Sequence, residues 1–64
     1  MNDYTAKQVA AALAEIAAAN ARVEGMKAKN LERQEQGYVL AYDEDAFFAE
    51  AQSLSNLADY LRQL

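Results

Sequence analysis

The chain of 64 residues contains no cysteine, no histidine, no proline and only two glycines. Without cysteine it has neither a disulfide nor a thiolate metal ligand, and without histidine it lacks the commonest zinc ligand and the commonest general base. Serine–histidine and cysteine–histidine catalytic pairs are excluded, and two isolated glycines do not form a phosphate-binding loop. We therefore expect a non-enzymatic protein with no cofactor and no metal.

Positive charge is also scarce, because the chain has six basic and ten acidic residues and its net charge is −4. In residues 37–64 the only basic side chain is Arg62. Such a chain is a poor binder of nucleic acid, since phosphate contacts need Lys and Arg. Five acids in this half are few for a continuous acidic face, so a DNA mimic is a minor alternative. The run Asp43-Glu44-Asp45 lacks the glycine and distal glutamate of an EF-hand loop, and helix capping is its preferred interpretation.

No run of 18 apolar residues occurs, and the first residues lack the basic region of a secretory signal. These absences predict a protein of the cytoplasm, without a membrane segment. One small domain of residues 1–64 is expected. A hydrophobic core of this size gives only marginal stability without disulfides or a structural metal. Abundant alanine and missing proline favour an all-helical fold.

A first helix is predicted over residues 6–36, where no proline and one tolerated glycine occur. Thr5 and Gln8 have the spacing of a capping box, although short matches of this kind also arise by chance. Tyr4 and Val9 occupy the two positions of a hydrophobic staple. Apolar side chains then recur at helical spacing, at Val9, Leu13, Ile16, Val23, Met26 and Leu31.

Two features of this helix have alternative interpretations. Asn20 lies in a gap of the apolar stripe, where it either bonds the same residue of a second copy or turns to solvent. The surrounding alanines either allow a close helix–helix contact or only stiffen the helix.

Gly37 is expected to end the first helix in a left-handed conformation, and a connection is predicted over residues 37–43. Four connection residues are unusually apolar for a loop, and they either fold over the tip of a hairpin or bind another molecule: Tyr38, Val39, Leu40 and Tyr42. A second helix over residues 44–63 follows, with Asp43 as its N-cap. Its apolar positions cover more than one side, so it needs two neighbours.

The two predicted helices differ in length, at about 46 Å and about 30 Å. If they fold back on each other, about 16 Å of the first helix is left without a neighbour. A second copy or another protein is expected to cover this end.

The order of these features resembles a known family over about two thirds of the chain. A polar helix closed by glycine, a short apolar run, an acidic cap and an apolar helix follow one another in residues 20–24, 27–29, 31–39 and 46–64. This order is similar to the central helical hairpin of tailed-phage DNA-packaging terminase small subunits. The resemblance implies an oligomerisation hairpin without the DNA-binding module of that family, and no functional residue is implied beyond the apolar seam.

We therefore predict an all-α antiparallel helical hairpin that self-associates into a dimeric four-helix arrangement. Its function would be protein–protein interaction and oligomerisation, phage- or prophage-related, in a bacterial host cell. The alternative is a small phage-encoded inhibitor that binds a host protein through Tyr38, Val39, Leu40 and Tyr42. The predicted self-association interface comprises Val9, Leu13, Ile16, Val23, Phe47, Leu54, Leu57 and Leu61.

Overall fold

A computed structural model describes residues 2–64 and contains two α-helices, α1 over Asp3–Glu35 and α2 over Glu44–Gln63. No strand occurs within residues 2–64. The two helices pack against each other in opposite directions, which confirms the predicted all-α hairpin.

The start of α1 differs from the prediction. Asn2 is the N-cap, and its side-chain oxygen accepts a hydrogen bond from the Thr5 N–H at 2.7 Å. Thr5 is therefore already inside the first helical turn, and the predicted capping box of Thr5 and Gln8 is wrong. The physical reason is that Asn is at least as good an N-cap as Thr, and the earlier cap adds three residues to a helix rich in alanine.

Gly37 ends α1 as expected, with φ at 76°. The Tyr38 N–H donates to the Arg33 carbonyl at 2.9 Å, and the Gly37 N–H donates to the Gln34 carbonyl at 3.1 Å. These two bonds form a Schellman motif, which satisfies carbonyls that the helix end would leave unpaired. The left-handed conformation at its centre explains why glycine stands at this position.

The predicted cap of α2 is confirmed. The Asp43 side chain accepts from the Ala46 N–H at 3.1 Å. Glu44 and Asp45 lie in the first turn and Arg62 in the last, so charges of both signs complement the helix dipole.

Three contacts set the register of the hairpin. The Tyr60 hydroxyl donates to the Gln8 side chain at 3.0 Å near one end, and the Arg22 guanidinium bonds Glu50 midway. Near the other end, the Asn30 side chain accepts from the Tyr42 N–H at 2.9 Å and donates to the Tyr42 carbonyl at 2.8 Å.

These contacts locate the part of α1 that α2 does not reach. Tyr60 of α2 lies beside Gln8 and the connection residue Tyr42 lies beside Asn30, so α1 extends beyond α2 mainly next to the connection. The connection then returns beside the last turns of α1, where the Arg33 guanidinium lies 5.9 Å from the Tyr38 ring centre. The connection lies beside part of the α1 segment that α2 does not reach, and the exposed apolar side chains Leu13 and Phe48 lie on the side of the hairpin.

The hairpin is elongated and exposes much of its surface. Its extents are 53 × 16 × 9 Å and its radius of gyration is 15.5 Å, against about 11 Å for a compact chain of this length. It exposes 4910 Å², whereas a folded monomer of this mass typically exposes about 4,100 Å². One copy alone therefore leaves about 800 Å² more surface in water than its mass requires.

Candidate functional site

Two alanines lie among larger apolar side chains along the line on which α1 faces α2. Buried residues occur at Ala12, Ala19 and Met26, with exposed fractions of 3%, 1% and 9%. Val9, Ile16 and Val23 alternate with them at spacings of three and four, and each is half-buried. This spacing is that of a coiled-coil seam. The alanines allow the backbones of the two helices to come close.

The facing line of α2 is less protected. It runs through Phe47, Glu50, Leu54, Leu57 and Leu61 at spacings of three and four, and all five are half-buried. No residue of α2 is buried. A two-helix seam is open to solvent along both sides, so a hairpin of this kind has no closed core of its own.

An ion pair crosses this seam. Arg22 Nε and Nη2 donate to the two carboxylate oxygens of Glu50 at 3.0 and 3.1 Å. The Glu50 side chain is 18% exposed and that of Arg22 is 50% exposed. The hydrogen bonds from Arg22 hold the pKa of Glu50 below its usual value, and Glu50 in turn raises the pKa of Arg22. The pair orders the two helices against each other, and its partial exposure makes the contribution to stability small.

The two sides of the seam, which we call flanks, differ in composition. Gln8 comes one residue before the seam residue Val9, and Tyr60 comes one residue before the seam residue Leu61. The hydrogen bond between Gln8 and Tyr60 shows that both lie on the same flank. Arg22 precedes Val23 and lies on the same flank. This polar flank, defined by Gln8, Arg22 and Tyr60, is bridged within one copy by hydrogen bonds from α1 to α2.

The opposite flank is apolar. Leu13 follows the seam residue Ala12, so it lies on the other side of α1 from Gln8, and it is 56% exposed. On α2, Phe48, Ala51 and Ala58 follow seam residues in the same way, and Phe48 is 64% exposed. This apolar flank, defined by Leu13, Phe48, Ala51 and Ala58, includes an open depression lined by Glu44, Phe47, Phe48 and Ala51.

The predicted interface residues divide between these places. Seven of them are half-buried along the seam of the hairpin itself: Val9, Ile16, Val23, Phe47, Leu54, Leu57 and Leu61. Leu13 alone among the eight is exposed, on the apolar flank. Phe48, Ala51 and Ala58 were not in the predicted set. The seven-residue repeat of Val9, Ile16 and Val23 is the signal that separates seam from flank.

The predicted partner-binding residues lie together in the connection between the helices. Tyr38, Val39, Leu40 and Tyr42 are all exposed, and Val39 is 85% exposed. They do not fold over the tip of the hairpin. Both backbone bonds of Tyr42 to Asn30 fix the end of this segment to α1, so its apolar side chains are presented on an anchored segment.

The ionisable side chains of residues 2–64 lie mostly on the surface. No group of three or more acidic side chains able to hold a metal ion occurs there. The shifted pKa values that the structure gives belong to Arg22 and Glu50, which contact each other. Neither helix is long and apolar enough to cross a membrane.

Comparison with models of protein families, with curated proteins and with solved structures finds no match to this chain.

Proposed function

We propose that the chain is a non-enzymatic self-association module, in which a second copy covers the apolar flank and completes a dimeric four-helix arrangement. The observation that carries this proposal is the position of Leu13 and Phe48, which are both large, apolar and more than half exposed on one flank. Large apolar side chains left in water on one side of a small hairpin are the kind of surface that a second protein covers.

The small core of one copy also supports the proposal. Ala12, Ala19 and Met26 are the buried residues of the described chain, and two of them contribute only a methyl group. Fully burying a large apolar side chain contributes about 1.5–3 kcal/mol. The half-buried side chains of α2 contribute less than this to stability in a single copy. They would contribute the full amount only if another chain covered the open side of the seam.

The surplus surface has the size that such a contact needs. A standard interface buries about 800 Å² on each partner. This is close to the difference between the 4910 Å² exposed here and the surface of a typical folded monomer. The similarity in feature order to terminase small-subunit hairpins favours a phage or prophage assembly as the setting.

Substitution of Leu13 tests the proposal. By light scattering coupled to size exclusion, we expect the wild-type chain to have twice its mass of 7.1 kDa. Leu13→Asp places a charge in the proposed contact and is expected to shift the protein to the monomer mass. Ala14→Asp is the matched control, because Ala14 is the exposed next residue of the same helix and points away from the flank.

A monomeric wild-type chain at all concentrations would contradict self-association. A dimer that persists unchanged in Leu13→Asp would show that another surface joins the copies. Circular dichroism should accompany each measurement, so that loss of helix is not mistaken for loss of association.

A second candidate function rests on the exposed connection. The exposed side chains of Tyr38, Val39 and Leu40 are suited to a groove on another protein, as expected of an inhibitor of a host protein. Val39→Ser should then abolish capture of that host protein and leave the dimer intact. Equal capture by the wild type and Val39→Ser would count against this second function.

A further inference from the structure

On the apolar flank, α2 carries a second regular stripe beside the seam that faces α1. The stripe follows spacings of four and three along almost the whole helix, through Glu44, Phe48, Ala51, Ser55, Ala58 and Arg62. We call these six residues the outer stripe. A repeat of this kind keeps one side of a helix in contact with a neighbouring helix along its length. Within one copy α1 leaves most of it in water: Ala58 is half-buried and the other five residues are exposed, with Phe48 at 64% and the Arg62 side chain at 72%.

We propose that α2 packs antiparallel on α2 of a second copy through the outer stripe, with Glu44 of each copy opposite Arg62 of the partner subunit. This inference rests on the proposed self-association and adds which helices meet, in which direction and in which register. The occupant of the surface is a second copy of this chain.

Charge complementarity selects the antiparallel direction. A twofold axis through the middle of α2 sets residue 44 against residue 62 of the other copy at both ends of the contact. Both ends then carry an acid–guanidinium pair. In a parallel arrangement Glu44 would meet Glu44 and Arg62 would meet Arg62, and like charges opposite each other are destabilising.

Side-chain size supports the same register. With residues 44 and 62 opposite each other, Phe48 meets the partner's Ala58, and Ala51 meets the partner's Ser55. Each large ring is therefore opposite a methyl group, while small residues meet near the twofold axis. Alternation of large and small side chains lets two helices interdigitate at native packing density.

The pairing is compatible with the contacts already present. Arg62 bonds Asp59 one turn earlier in its own helix through one guanidinium nitrogen. Since a guanidinium carries five N–H donors, Arg62 retains donors for a carboxylate of a second copy. Glu44 lies at the rim of the depression that also contains Phe48, so the charged pair would close the end of the apolar contact.

A charge exchange tests this register. Glu44→Arg places two cations opposite each other at both ends, and we expect the dimer dissociation constant to rise about tenfold. Arg62→Glu should have the same effect with two anions. The double variant Glu44→Arg/Arg62→Glu restores opposite charges across the contact, and its dissociation constant should return close to the wild-type value.

Recovery of the dissociation constant in the double variant can only reflect contact between two copies, because of helix geometry. Residues 44 and 62 are about 27 Å apart along one α2, so they do not contact each other within a copy. Both reversed charges are also unfavourable for the helix dipole. The double variant therefore combines the two intramolecular penalties, and recovery of its affinity has to come from the second copy.

The outcomes separate this inference from the proposed function. A wild-type monomer in sedimentation equilibrium would overturn both. A wild-type dimer whose dissociation constant is unchanged in either single variant, or is weakened additively in the double variant, would overturn the α2 pairing and leave self-association standing. A weakened dimer in both single variants with recovery in the double supports the register.

Discussion

The two flanks of the hairpin lie on either side of one seam and differ in the contacts that they make within the chain. On the polar flank Tyr60 bonds Gln8 and Arg22 bonds Glu50, so the helices satisfy each other within one copy. On the apolar flank Leu13 is exposed, and no hydrogen bond or ion pair joins α1 to α2 on this side within residues 2–64. This contrast is the basis of the proposal that a second chain covers the apolar flank.

The most deeply buried side chains of the hairpin are not its largest ones. Two alanines and one methionine are buried in the seam, whereas a leucine and a phenylalanine are exposed on the apolar flank. The larger apolar side chains of the seam are only half-buried, and Leu13 and Phe48 lie outside it. Large apolar residues kept on a surface are characteristic of interaction sites.

The largest effect is expected from forcing the helices apart along the seam that both flanks share. Ala19→Leu adds three carbons at a position that is 1% exposed, and overpacking of this kind costs about 1–3 kcal/mol of unfolding free energy. Ala18→Leu is the control, because Ala18 is exposed and its substitution should change stability by less than about 0.5 kcal/mol. Urea unfolding at one chain concentration measures both, and equal effects would contradict the position of the seam.

An intermediate effect is expected at the turn that sets which residues fall on each flank. Gly37→Ala places a Cβ at a φ of 76°, which costs about 1–2 kcal/mol. Gly25→Ala should act in the opposite direction, with a gain of about 1 kcal/mol, because a helical Cβ there meets nothing within 4 Å. Thermal unfolding of the two variants should give shifts of opposite sign, and a stabilised Gly37→Ala would contradict the Schellman turn.

The smallest effect concerns the ion pair of the polar flank. The hydrogen bonds from Arg22 hold the pKa of Glu50 below its value in the unfolded chain. The stabilisation is therefore present above the unfolded pKa and is lost as the pH falls through the lower folded value. Glu50→Gln lacks the titrating group, so its unfolding free energy should fall less than that of the wild type as the pH is lowered. If the unfolding free energies of the wild type and Glu50→Gln changed equally with pH, the ion pair of Arg22 and Glu50 would not contribute to stability.

The elements that could be predicted from the sequence are those with local causes. Gly37 and Asp43 were identified because a left-handed turn and a helix N-cap each favour a few residue types. The cap of α1 was misplaced because Asn2 and Thr5 are both good caps, and their local spacing does not decide between them. Tertiary pairing was harder to predict: the two bonds between Asn30 and Tyr42 exist only because the hairpin brings them together.

The seam was predicted in part for a related reason. Val9, Ile16 and Val23 were recognised, but Leu13 was assigned to the same line because large apolar residues were weighted over alanines. The structure places Ala12 in the seam and Leu13 beside it. Residues 12 and 13 differ by 100° around the helix. That rotation is what separates the contact within the chain from the surface proposed to contact a second copy.

The dependence of thermal unfolding on chain concentration tests most directly whether the hairpin needs a second copy. Folding coupled to dimer formation follows mass action, so the unfolding midpoint should rise steadily as wild-type protein is concentrated from low to high micromolar. In Leu13→Asp the midpoint should be lower and independent of concentration. A wild-type midpoint that is the same at every concentration would contradict the account, because it would mean that a single copy folds with its apolar flank in water.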